Sequence, residues 1–541
     1  MKGLMMEVPM LLSGLIDYAA ECHGETEVVG RRLDGQVERR NYRTLRKQAA
    51  KLANALIDQG YGLDSRMASL AWNTVNHIEV FYGVLGIGAS LHTLNPRLSA
   101  ENIAYMSNKV DNELIFVDGA TIGLAEQLQD KLTNVKGWVF LDENEPMPAT
   151  TLKNIVVKSD LVKTAAEDIE WPQFDERQAA TICFTSGTTG KPKGVVYSHR
   201  STTLSAMNMT MADMYGGYIN GDLMTVMPIA PIFHANGWQM PFTAPMNGHK
   251  LVLPGRDFTA RALIDLINNE EVTMIGAVPT LYMDLFSNLK PGETFSALRI
   301  ALIAGTRVPD KLFELFDQHG IEVGQQWGMT ETPGCTRGTL PPGVNKLPKQ
   351  EREIIRRKNQ GRIAFSAKHR IIDENGNPLP HDGIACGEMQ VRGNNVAGRY
   401  LGQSEEEQFD WLSTGDVACI SPDGRVEIVD RTKDVIKSGG EWISTQILES
   451  AASDHPAVDR VAVISIPHPR FQERPLMLVK LKENATCTQE ELLNHLRTKV
   501  ESWWLPDRIE FIDDVAVTST GKLDKIELRR QFTGRTTQMV I

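Results

Sequence analysis

The segment TSGTTGKPKG, residues 185–194, has the composition of a phosphate-binding loop. It places three glycines, four hydroxyl residues and two lysines within ten positions. Glycine lets main-chain N–H groups approach phosphate oxygens closely, and lysines and hydroxyls add charge and hydrogen bonds. It is not a Walker loop, because Gly187 and Gly190 are only three residues apart and Pro192 follows Lys191. Taken alone, the segment is either a polyphosphate cradle or a flexible surface turn.

Four other segments carry carboxylates, hydroxyls or lysines that could act together with this loop. They are WGMTET at 327–332, STGD at 413–416, DRTKDVIKSGGEWIS at 430–444 and TGKLDK at 520–525. In order and approximate spacing, the five segments resemble those of the adenylate-forming enzymes, the family of acyl-CoA synthetases, peptide-synthetase adenylation domains and luciferases. The resemblance covers nearly the whole chain.

The closer resemblance is to bacterial medium- and long-chain fatty acyl-CoA synthetases, a branch that includes methylmercaptopropionate CoA ligases. It is carried by NPRLSAENIAYM, GVVYSHRS, FHANGWQMPFTAP and KSGGEWIST. The implied reaction joins a carboxylic acid to the α-phosphate of ATP with loss of pyrophosphate, after which the coenzyme A (CoA) thiolate displaces AMP. The implied ligands are therefore ATP, Mg²⁺, CoA and a carboxylic acid. The expected acid is a medium-chain fatty acid or a similar short or medium acid, and the alternative is 3-methylmercaptopropionate.

The resemblance assigns ATP and its metal ion to residues from several segments. Thr330 would meet the α-phosphate, Asp416 would accept both ribose hydroxyls, and Arg431 would contact the nucleotide. Glu331 would bind Mg²⁺, a hard cation that prefers oxygen ligands, with Thr185 near the metal. The phosphate clamp would comprise Thr185, Ser186, Gly187, Thr188, Thr189, Gly190 and Lys193, and the remaining ATP- and AMP-binding set is Gly305, Thr306, Gln326, Trp327, Gly328 and Met329.

The last two segments resemble the family's mobile catalytic parts. Lys522 matches the lysine that bridges the carboxylate and the α-phosphate, where a cation offsets charge that builds during adenylation. Lys433 matches the hinge about which the small domain rotates between half-reactions. Such a rotation would withdraw Lys522 and bring a glycine pair to the thiol tunnel. The predicted CoA set is Lys437, Gly439, Gly440 and Glu441.

Three regions bear on the acid. His234 stands where peptide-synthetase domains place an aspartate for the substrate amine, which disfavours an amino acid, and we count it among the catalytic and acyl-pocket residues. Trp238 matches an aromatic gate of the acyl tunnel, although an aromatic in an apolar segment is also a common core residue. Val278 resembles the pocket wall. Arg307 in AGTRVP stands where relatives have a small residue, beside the adenine or acyl pocket. It either points to solvent or shortens the pocket, and our hypothesis is a preference for shorter or more polar acids.

The elements that must position these residues form an α/β sheet from about residue 179 onward. Short apolar runs at 223–229, 272–279 and 298–305 predict buried strands, each ending in Gly or Pro. Leu263, Leu266 and Ile267, and then Leu312, Leu315 and Phe316, mark amphipathic helices between them. Ligands gather at the carboxyl ends of strands in such sheets, so several strand ends should converge on one site.

A charged segment with paired glycines at 427–442 marks a domain boundary. We predict an N-terminal AMP- and acyl-binding domain over residues 1–430 and a small, mobile α+β domain over 431–541, with a helix capped by Thr488 and Glu491. The resemblance implies the adenylate-forming fold, with α/β subdomains and a β-barrel-like part in the large domain.

Composition limits the partners. With 57 Lys and Arg against 68 Asp and Glu, the net charge of −11 argues against binding nucleic acid or an anionic membrane. Six scattered cysteines without a CxxC pair fit neither a disulfide framework nor a structural zinc site, which favours a reducing cytoplasm. The apolar N-terminal run is broken by Asp17 and Glu21, so we expect neither a signal peptide nor an integral membrane segment.

Two alternatives to a CoA ligase remain at this stage. One is an acid adenylase that passes its acyl group to a carrier protein or another acceptor. The other is a catalytically inert nucleotide-binding protein, against which the retained Lys522, Glu331 and Asp416 argue. By resemblance alone, a homodimer is expected.

Overall fold

Two sheets of mainly parallel strands dominate the chain before residue 340. The computed structural model describes residues 1, 3–142, 146–185, 191–211, 224–338, 340, 343–439, 441–517 and 523–532. Its strands are β1 (Glu27–Arg31), β2 (Val37–Asn41), β3 (Arg66–Leu70), β4 (Ser90–Thr93), β5 (Leu114–Val117), β6 (Gly137–Phe140), β7 (Ile155–Val157), β8 (Ala179–Phe184), β9 (Gly194–Ser198), β10 (Thr225–Pro228), β11 (Lys250–Leu253), β12 (Met274–Ala277), β13 (Ile300–Ile303), β14 (Glu322–Gln325), β15 (Thr336–Arg337), β16 (Arg362–Ile363), β17 (Ala367–Ile372), β18 (Cys386–Gly393), β19 (Leu412–Ile420), β20 (Val426–Arg431), β21 (Ile436–Ser438), β22 (Glu441–Ile443), β23 (Val458–His468), β24 (Gln472–Leu481) and β25 (Arg508–Phe511).

The helices lie between and around these strands. They are α1 (Leu12–Cys22), α2 (Tyr42–Asp58), α3 (Val75–Gly86), α4 (Ala100–Val110), α5 (Ile122–Leu128), α6 (Lys158–Leu161), α7 (His199–Met209), α8 (Ala235–Trp238), α9 (Met240–Asn247), α10 (Ala260–Asn269), α11 (Pro279–Ser287), α12 (Asp310–Gln318), α13 (Lys349–Lys358), α14 (Thr445–Ser453), α15 (Gln489–Arg497) and α16 (Lys525–Phe532). Within the described ranges, no helix is both long enough and apolar enough to cross a membrane.

Each of the two large sheets has seven strands. The first has the order β14-β13-β12-β10-β11-β1-β2 and the second the order β7-β6-β5-β3-β4-β8-β9. In each, only the last pair in this order, β1 with β2 and β8 with β9, is antiparallel. The parallel strands therefore end at the same edge of their sheet, and the strands predicted from the apolar runs are confirmed as β10, β12 and β13.

The helices predicted between those strands are also confirmed. Leu263, Leu266 and Ile267 of α10 are buried, as are Leu312 and Phe316 of α12. These side chains pack with β12 and β13 in one apolar cluster. Burial of one apolar face on each helix fixes the helices against the sheet. The loops at the strand ends are not needed for this packing and can carry polar groups.

A smaller antiparallel region follows β14 in the chain. Strands β17 to β20 form a four-stranded sheet, and β15 pairs with β16. Cys386 of β18 lies directly opposite Cys419 of β19, and the two form a disulfide. The sequence predicted no disulfide framework, and it gave no sign of this one bridge. The two residues are 33 positions apart, so their meeting depends on strand register rather than on sequence spacing.

The C-terminal part has its own sheet and its own apolar cores. Strand β24 lies between β23 and β21 and also pairs with β25, while α14 and α15 pack in one core and α16 in the other. The predicted capping box is confirmed, because Thr488 and Glu491 exchange hydrogen bonds at the start of α15. The boundary after residue 430 stays a prediction.

Buried His92 on β4 gives the large domain a pH-dependent stability. Its Nδ1 lies 2.9 Å from Asn112 Oδ1, its Nε2 has no described partner, and burial lowers the His92 pKa to about 4. The folded state thus binds fewer protons than the unfolded state. The contribution of His92 to the free energy of unfolding is therefore largest above about pH 6.5, and it decreases as the pH falls toward 4.

We expect His92→Gln to flatten the pH dependence of unfolding. Between pH 7 and pH 5, His92 lowers the free energy of unfolding by about 2 kcal/mol. Glutamine does not titrate, so the variant lacks this decrease. Urea unfolding of both proteins at several pH values measures the difference. Equal slopes for the variant and the wild type would contradict the assignment.

Candidate functional site

A cavity of about 910 Å³ lies at the carboxyl ends of strands from both large sheets. Residues just after β8, β10, β12, β13 and β14 line it, and Arg460 and Val517 of the C-terminal part complete the wall. The cavity brings together most of the described residues predicted to form the site. Those residues are Thr185, Lys193, His234, Trp238, Val278, Gly305, Gln326, Trp327, Gly328, Met329, Thr330, Glu331, Arg431 and Lys433.

The described ends of the glycine-rich loop meet each other at the cavity wall. Thr185 donates its N–H to the carbonyl of Lys193 over 2.9 Å, and the Lys193 N–H lies 3.4 Å from Thr185 Oγ1. The pairing of β8 with β9 therefore continues to the base of the loop. The predicted phosphate ligands Ser186, Gly187, Thr188, Thr189 and Gly190 lie outside the described residues.

Tyr400 connects Glu331 with Lys193. Its hydroxyl donates to Glu331 Oε1 over 2.7 Å, and the Lys193 ammonium lies 4.7 Å from the centre of its ring. Burial, and secondly the negative Glu331 carboxylate, hold the Tyr400 pKa well above its usual range, so the hydroxyl remains a donor. Glu331 is only 6% exposed, and the Tyr400 hydroxyl is a hydrogen-bond partner that orients its carboxylate.

These groups fit a magnesium ion that is shared with a polyphosphate. No cluster of three or more His, Cys, Asp or Glu side chains in the described parts of the chain could hold a metal ion alone. Mg²⁺ is usually bound by one or two carboxylates together with substrate phosphates rather than by an all-protein cage. Glu331 and the Thr185 hydroxyl, on the wall of one cavity, supply the oxygen chemistry that such shared binding needs.

A carboxylate close to the cavity wall, that of Asp416, has a partner at each of its oxygens. Trp327 Nε1 donates to Asp416 Oδ2 over 2.8 Å, and Arg431 Nε lies 3.0 Å from Asp416 Oδ1. Asp416 does not itself line the cavity, but Trp327 and Arg431 do, as do Thr414 and Gly415 just before it. The carboxylate is thus held immediately behind the wall at which a ribose would have to bind.

The part of the cavity wall that contains His234 and Trp238 is built on a left-handed turn. Residues 235–239 all have positive φ, between 41° and 65°, and only Gly237 among them is a glycine. Thr181 Oγ1 donates to the buried Asn236 Oδ1 over 2.6 Å, and a Cβ on Gly237 would lie 2.7 Å from Ile232 Cγ2. This conformation is costly for L-residues and occurs mainly where function requires it. It places His234 and Trp238 on the cavity wall.

Several predicted residues are not brought to the cavity. Arg307 and Thr306 do not line it, and Arg307 Nη1 is buried without a described partner. The cavity wall therefore does not include Arg307, and its effect on the choice of acid stays a prediction.

The predicted CoA residues also lie elsewhere. Lys437 Nζ is 2.7 Å from Glu374 Oε1, outside the cavity, and Gly439, with φ of 63°, donates to the carbonyl of Phe471. Gly440, the Glu441 side chain and Lys522 lie outside the described residues. Val517 and Leu523, which border the segment containing Lys522, pair with each other, and Val517 lines the cavity.

Sequence reasoning missed three groups at the site. Tyr400 is a single tyrosine in AGRYLG, and no sequence pattern marked it as a site residue. Arg97 belongs to a segment that we quoted only for its family resemblance. The third group is Asp284 of α11, which lines the cavity together with Arg460 of β23. Burial raises the Asp284 pKa, and Arg460 opposes that shift.

Two family profiles match the chain. The AMP-binding enzyme family matches residues 16–401, and the AMP-binding enzyme C-terminal domain matches residues 448–522. Together they span both predicted parts of the chain.

Curated relatives align over nearly its full length. The chain is 38% identical to a 3-methylmercaptopropionyl-CoA ligase of Ruegeria lacuscaerulensis, over 98% of this chain and 99% of the relative. It is 36% identical to a medium-chain fatty-acid–CoA ligase of Ectopseudomonas oleovorans, over 98% of each chain. A solved structure of an anthranilate CoA ligase with anthranoyl-AMP matches with a TM-score of 0.83 at 21% identity, covering 99% of this chain and 100% of that one. This last likeness confirms the predicted fold.

We expect Tyr400→Phe to weaken Mg²⁺-dependent ATP binding about tenfold. The change removes the hydroxyl that orients Glu331 but keeps the ring beneath Lys193, and loss of a partner that orients a metal ligand typically weakens metal affinity about 10- to 100-fold. Calorimetric titration of ATP at several Mg²⁺ concentrations measures the effect. Tyr105→Phe is the matched control, because the Tyr105 ring similarly lies 5.0 Å from Lys191 Nζ. An equal loss in both variants would contradict the role of the Tyr400 hydroxyl.

Proposed function

Because the chain belongs to the AMP-binding enzyme family, we propose that it is an ATP-dependent acid–CoA ligase that works through an acyl-adenylate. Relatives of 36–38% identity over the full chain are acid–CoA ligases, which supports this activity. The observation that carries the proposal is the single cavity that joins Lys193, Glu331 and Trp327 to His234 and Trp238. An activated acid needs both of these regions at once, one for the nucleotide and one for the acyl group.

In the first half-reaction, a carboxylate oxygen of the acid forms a bond to the α-phosphorus of ATP, and the bond from that phosphorus to the bridging oxygen of pyrophosphate breaks. Thr330 and Lys522 stabilise the charge on the transferring oxygens. Lys193 and the loop hold the leaving pyrophosphate. Asp416, fixed by Trp327 and Arg431, accepts the ribose hydroxyls. Mg²⁺, when bound at Glu331 and Thr185, supplies neutralisation of phosphate charge.

In the second half-reaction, the CoA thiolate attacks the acyl carbon, and the bond between that carbon and the AMP oxygen breaks. The proposal keeps Lys433 as the hinge and Lys437, Gly439, Gly440 and Glu441 as residues that reach CoA after rotation. In the described arrangement, Val517 lines the cavity and Gly439 does not. This arrangement fits the adenylation half-reaction. A rotation of the small domain would move Val517 away from the cavity and bring Gly439 to it.

The acid is proposed to be a medium-chain fatty acid or a similar short acid. His234, Trp238 and Val278 form the acyl wall, with Phe233 and Leu281 adding apolar surface. An alternative is 3-methylmercaptopropionate, the acid named for the relative of 38% identity. A homodimer and a cytoplasmic location, expected from the sequence, complete the proposal.

A second candidate function is an adenylase that transfers its acyl group to a carrier protein. Both candidates predict acid-dependent exchange of pyrophosphate into ATP, and only the ligase makes a thioester with free CoA. AMP release over acids of three to sixteen carbons, aromatic acids and thioether acids, with and without CoA, tests both. Acid-dependent exchange without CoA-dependent thioester would exclude the ligase, and no exchange with any acid would exclude both.

We expect Lys522→Ala to separate the two half-reactions. Adenylation should fall about a thousandfold, because removing one preorganised charge-stabilising group costs about 10²- to 10³-fold. Thioester formation from supplied acyl-adenylate and CoA should be retained. The exposed Lys163→Ala serves as the control for loss of one positive charge. Equal losses in both half-reactions would contradict the role of Lys522 in adenylation alone.

A further inference from the structure

The predicted hinge at Lys433 is bounded by hydrogen bonds to two different parts of the molecule. Before the hinge, the Thr432 N–H donates to the carbonyl of Gly415 in β19 over 2.9 Å. After it, the Lys433 carbonyl accepts a hydrogen bond of 3.2 Å from Nη2 of Arg529 in α16. Because peptide bonds are planar, the backbone between these two bonds can turn only at the φ and ψ angles of Thr432 and Lys433.

Arg529 also holds the residue that follows the hinge. The same nitrogen, Nη2, lies 2.6 Å from Asp434 Oδ1. The two side chains are 23% and 10% exposed, respectively, so this ion pair is partly shielded from water. A hydrogen bond between charged groups is about twice as strong as one between neutral groups. The peptide that joins Lys433 to Asp434 is therefore attached to α16 on its main-chain and its side-chain side.

Helix α16 is itself fixed in the C-terminal part, and it begins three residues after Lys522. Leu528 packs in one apolar core with residues of β23 and β24, and Leu523 packs against the same core. At the first position of the helix, Lys525 Nζ lies 2.7 Å from Glu449 Oε1 of α14. The chain that follows Lys522 thus belongs to the same packed body that holds the far side of the hinge.

Two further hydrogen bonds cross the hinge and stabilise the described arrangement. The carbonyl of Arg431 accepts from the N–H of Asp434 over 2.9 Å and from that of Val435 over 2.8 Å. This carbonyl precedes the hinge angles, whereas both donors follow them. A large rotation at the hinge therefore breaks these two bonds, while the contacts of Arg529 are kept.

We propose that Arg529 is a positioning residue that makes the Lys433–Asp434 peptide part of the small domain and so confines the rotation to Thr432 and Lys433. The inference rests on the proposed function, because the rotation between half-reactions belongs to that function. Arg529 does not line the cavity, so it acts through the hinge rather than on a substrate. Loss of its contacts frees the angles that follow Lys433, and the small domain then occupies a wider range of orientations.

The test measures both half-reactions in wild type, Arg529→Gln and Arg529→Lys. Arg529→Gln should lower kcat about tenfold in acid-dependent pyrophosphate exchange and in thioester formation from supplied acyl-adenylate, because misplacement of a reacting group by about 1 Å can cost 100-fold. The KM values for ATP and the acid should be unchanged, since Arg529 does not contact the cavity in which they bind. Arg529→Lys keeps a charge opposite Asp434 and should recover part of the lost rate.

Two further variants separate this role from a general effect of charge. Arg530→Gln is the matched control, because Arg530 is the next residue of α16 and pairs with Glu527 of the same helix. It should leave both half-reactions unchanged. Asp434→Asn removes the charge that Arg529 contacts and should lower both rates by a smaller factor than Arg529→Gln. The double variant of Asp434 and Arg529 should lose no more than Arg529→Gln alone, because the two side chains act through one contact.

Limited digestion with trypsin reports on the hinge without catalysis. Lys433 is exposed, and cleavage after it requires local opening of the backbone. This cleavage should be faster in Arg529→Gln than in wild type and unchanged in Arg530→Gln. The digestion needs no substrate, and exchange and thioester formation by the wild type are measured first, so failure of the ligase assignment is recognised separately from failure of this proposal.

Other outcomes would overturn the proposal and say what replaces it. A loss confined to adenylation would mean that Arg529 serves only to place Lys522. Equal rates and equal cleavage in Arg529→Gln and Arg530→Gln would leave the hinge contact without a role. Rates that fall only in proportion to the fraction of folded protein, measured by urea unfolding under the assay conditions, would make Arg529 purely structural.

Discussion

The site depends on one constraint, which is that the parallel strands of two sheets end in the same crevice. Strands β8, β10, β12, β13 and β14 each deliver at least one cavity residue within a few positions of their last residue. A parallel strand needs a crossover before the next one, so residues that meet in the crevice are far apart in the chain. The register of the strands, such as Ile303 opposite Gln325, therefore sets the distance between chemical groups that sequence separates.

Within that crevice, the proposed acyl wall is made from a conformation that the backbone does not favour. Four non-glycine residues in the left-handed turn at 235–239 each cost about 1–2 kcal/mol. The Thr181–Asn236 hydrogen bond opposes that cost, and the close approach of Ile232 leaves no room for a Cβ at Gly237. Because the turn is held by contacts from β8 and from its own loop, His234 and Trp238 are positioned by the sheet rather than by local preference. A change at Asn236 or Gly237 would therefore alter the acyl wall without touching a substrate.

Strands and helices whose signals lie within a few residues could be predicted from the sequence itself. The site could be predicted only from the family resemblance. Apolar runs and the Thr488–Glu491 capping box were sufficient for β10, β12, β13 and α15, because these signals lie within a few residues. Cys386 and Cys419 meet because of register, which no spacing reveals. Arg307 was placed at the acyl pocket from its neighbours in the loop, but the direction of a side chain after a turn depends on tertiary packing. Tyr400 was missed for the same reason, since only the fold brings it to Glu331.

The distribution of charge explains how an acidic protein can bind anionic substrates. The chain has a net charge of −11, yet the described cavity wall carries six lysine or arginine residues and two carboxylates. Three of these cations, Arg97, Lys191 and Lys193, rest on aromatic rings. A carboxylate partner would compete with an incoming phosphate for the same donors, and it would be left desolvated and unpaired once the phosphate was bound. An aromatic face orients the cation and keeps its donors open, so the incoming anion gains a positioned charge without displacing an ion pair.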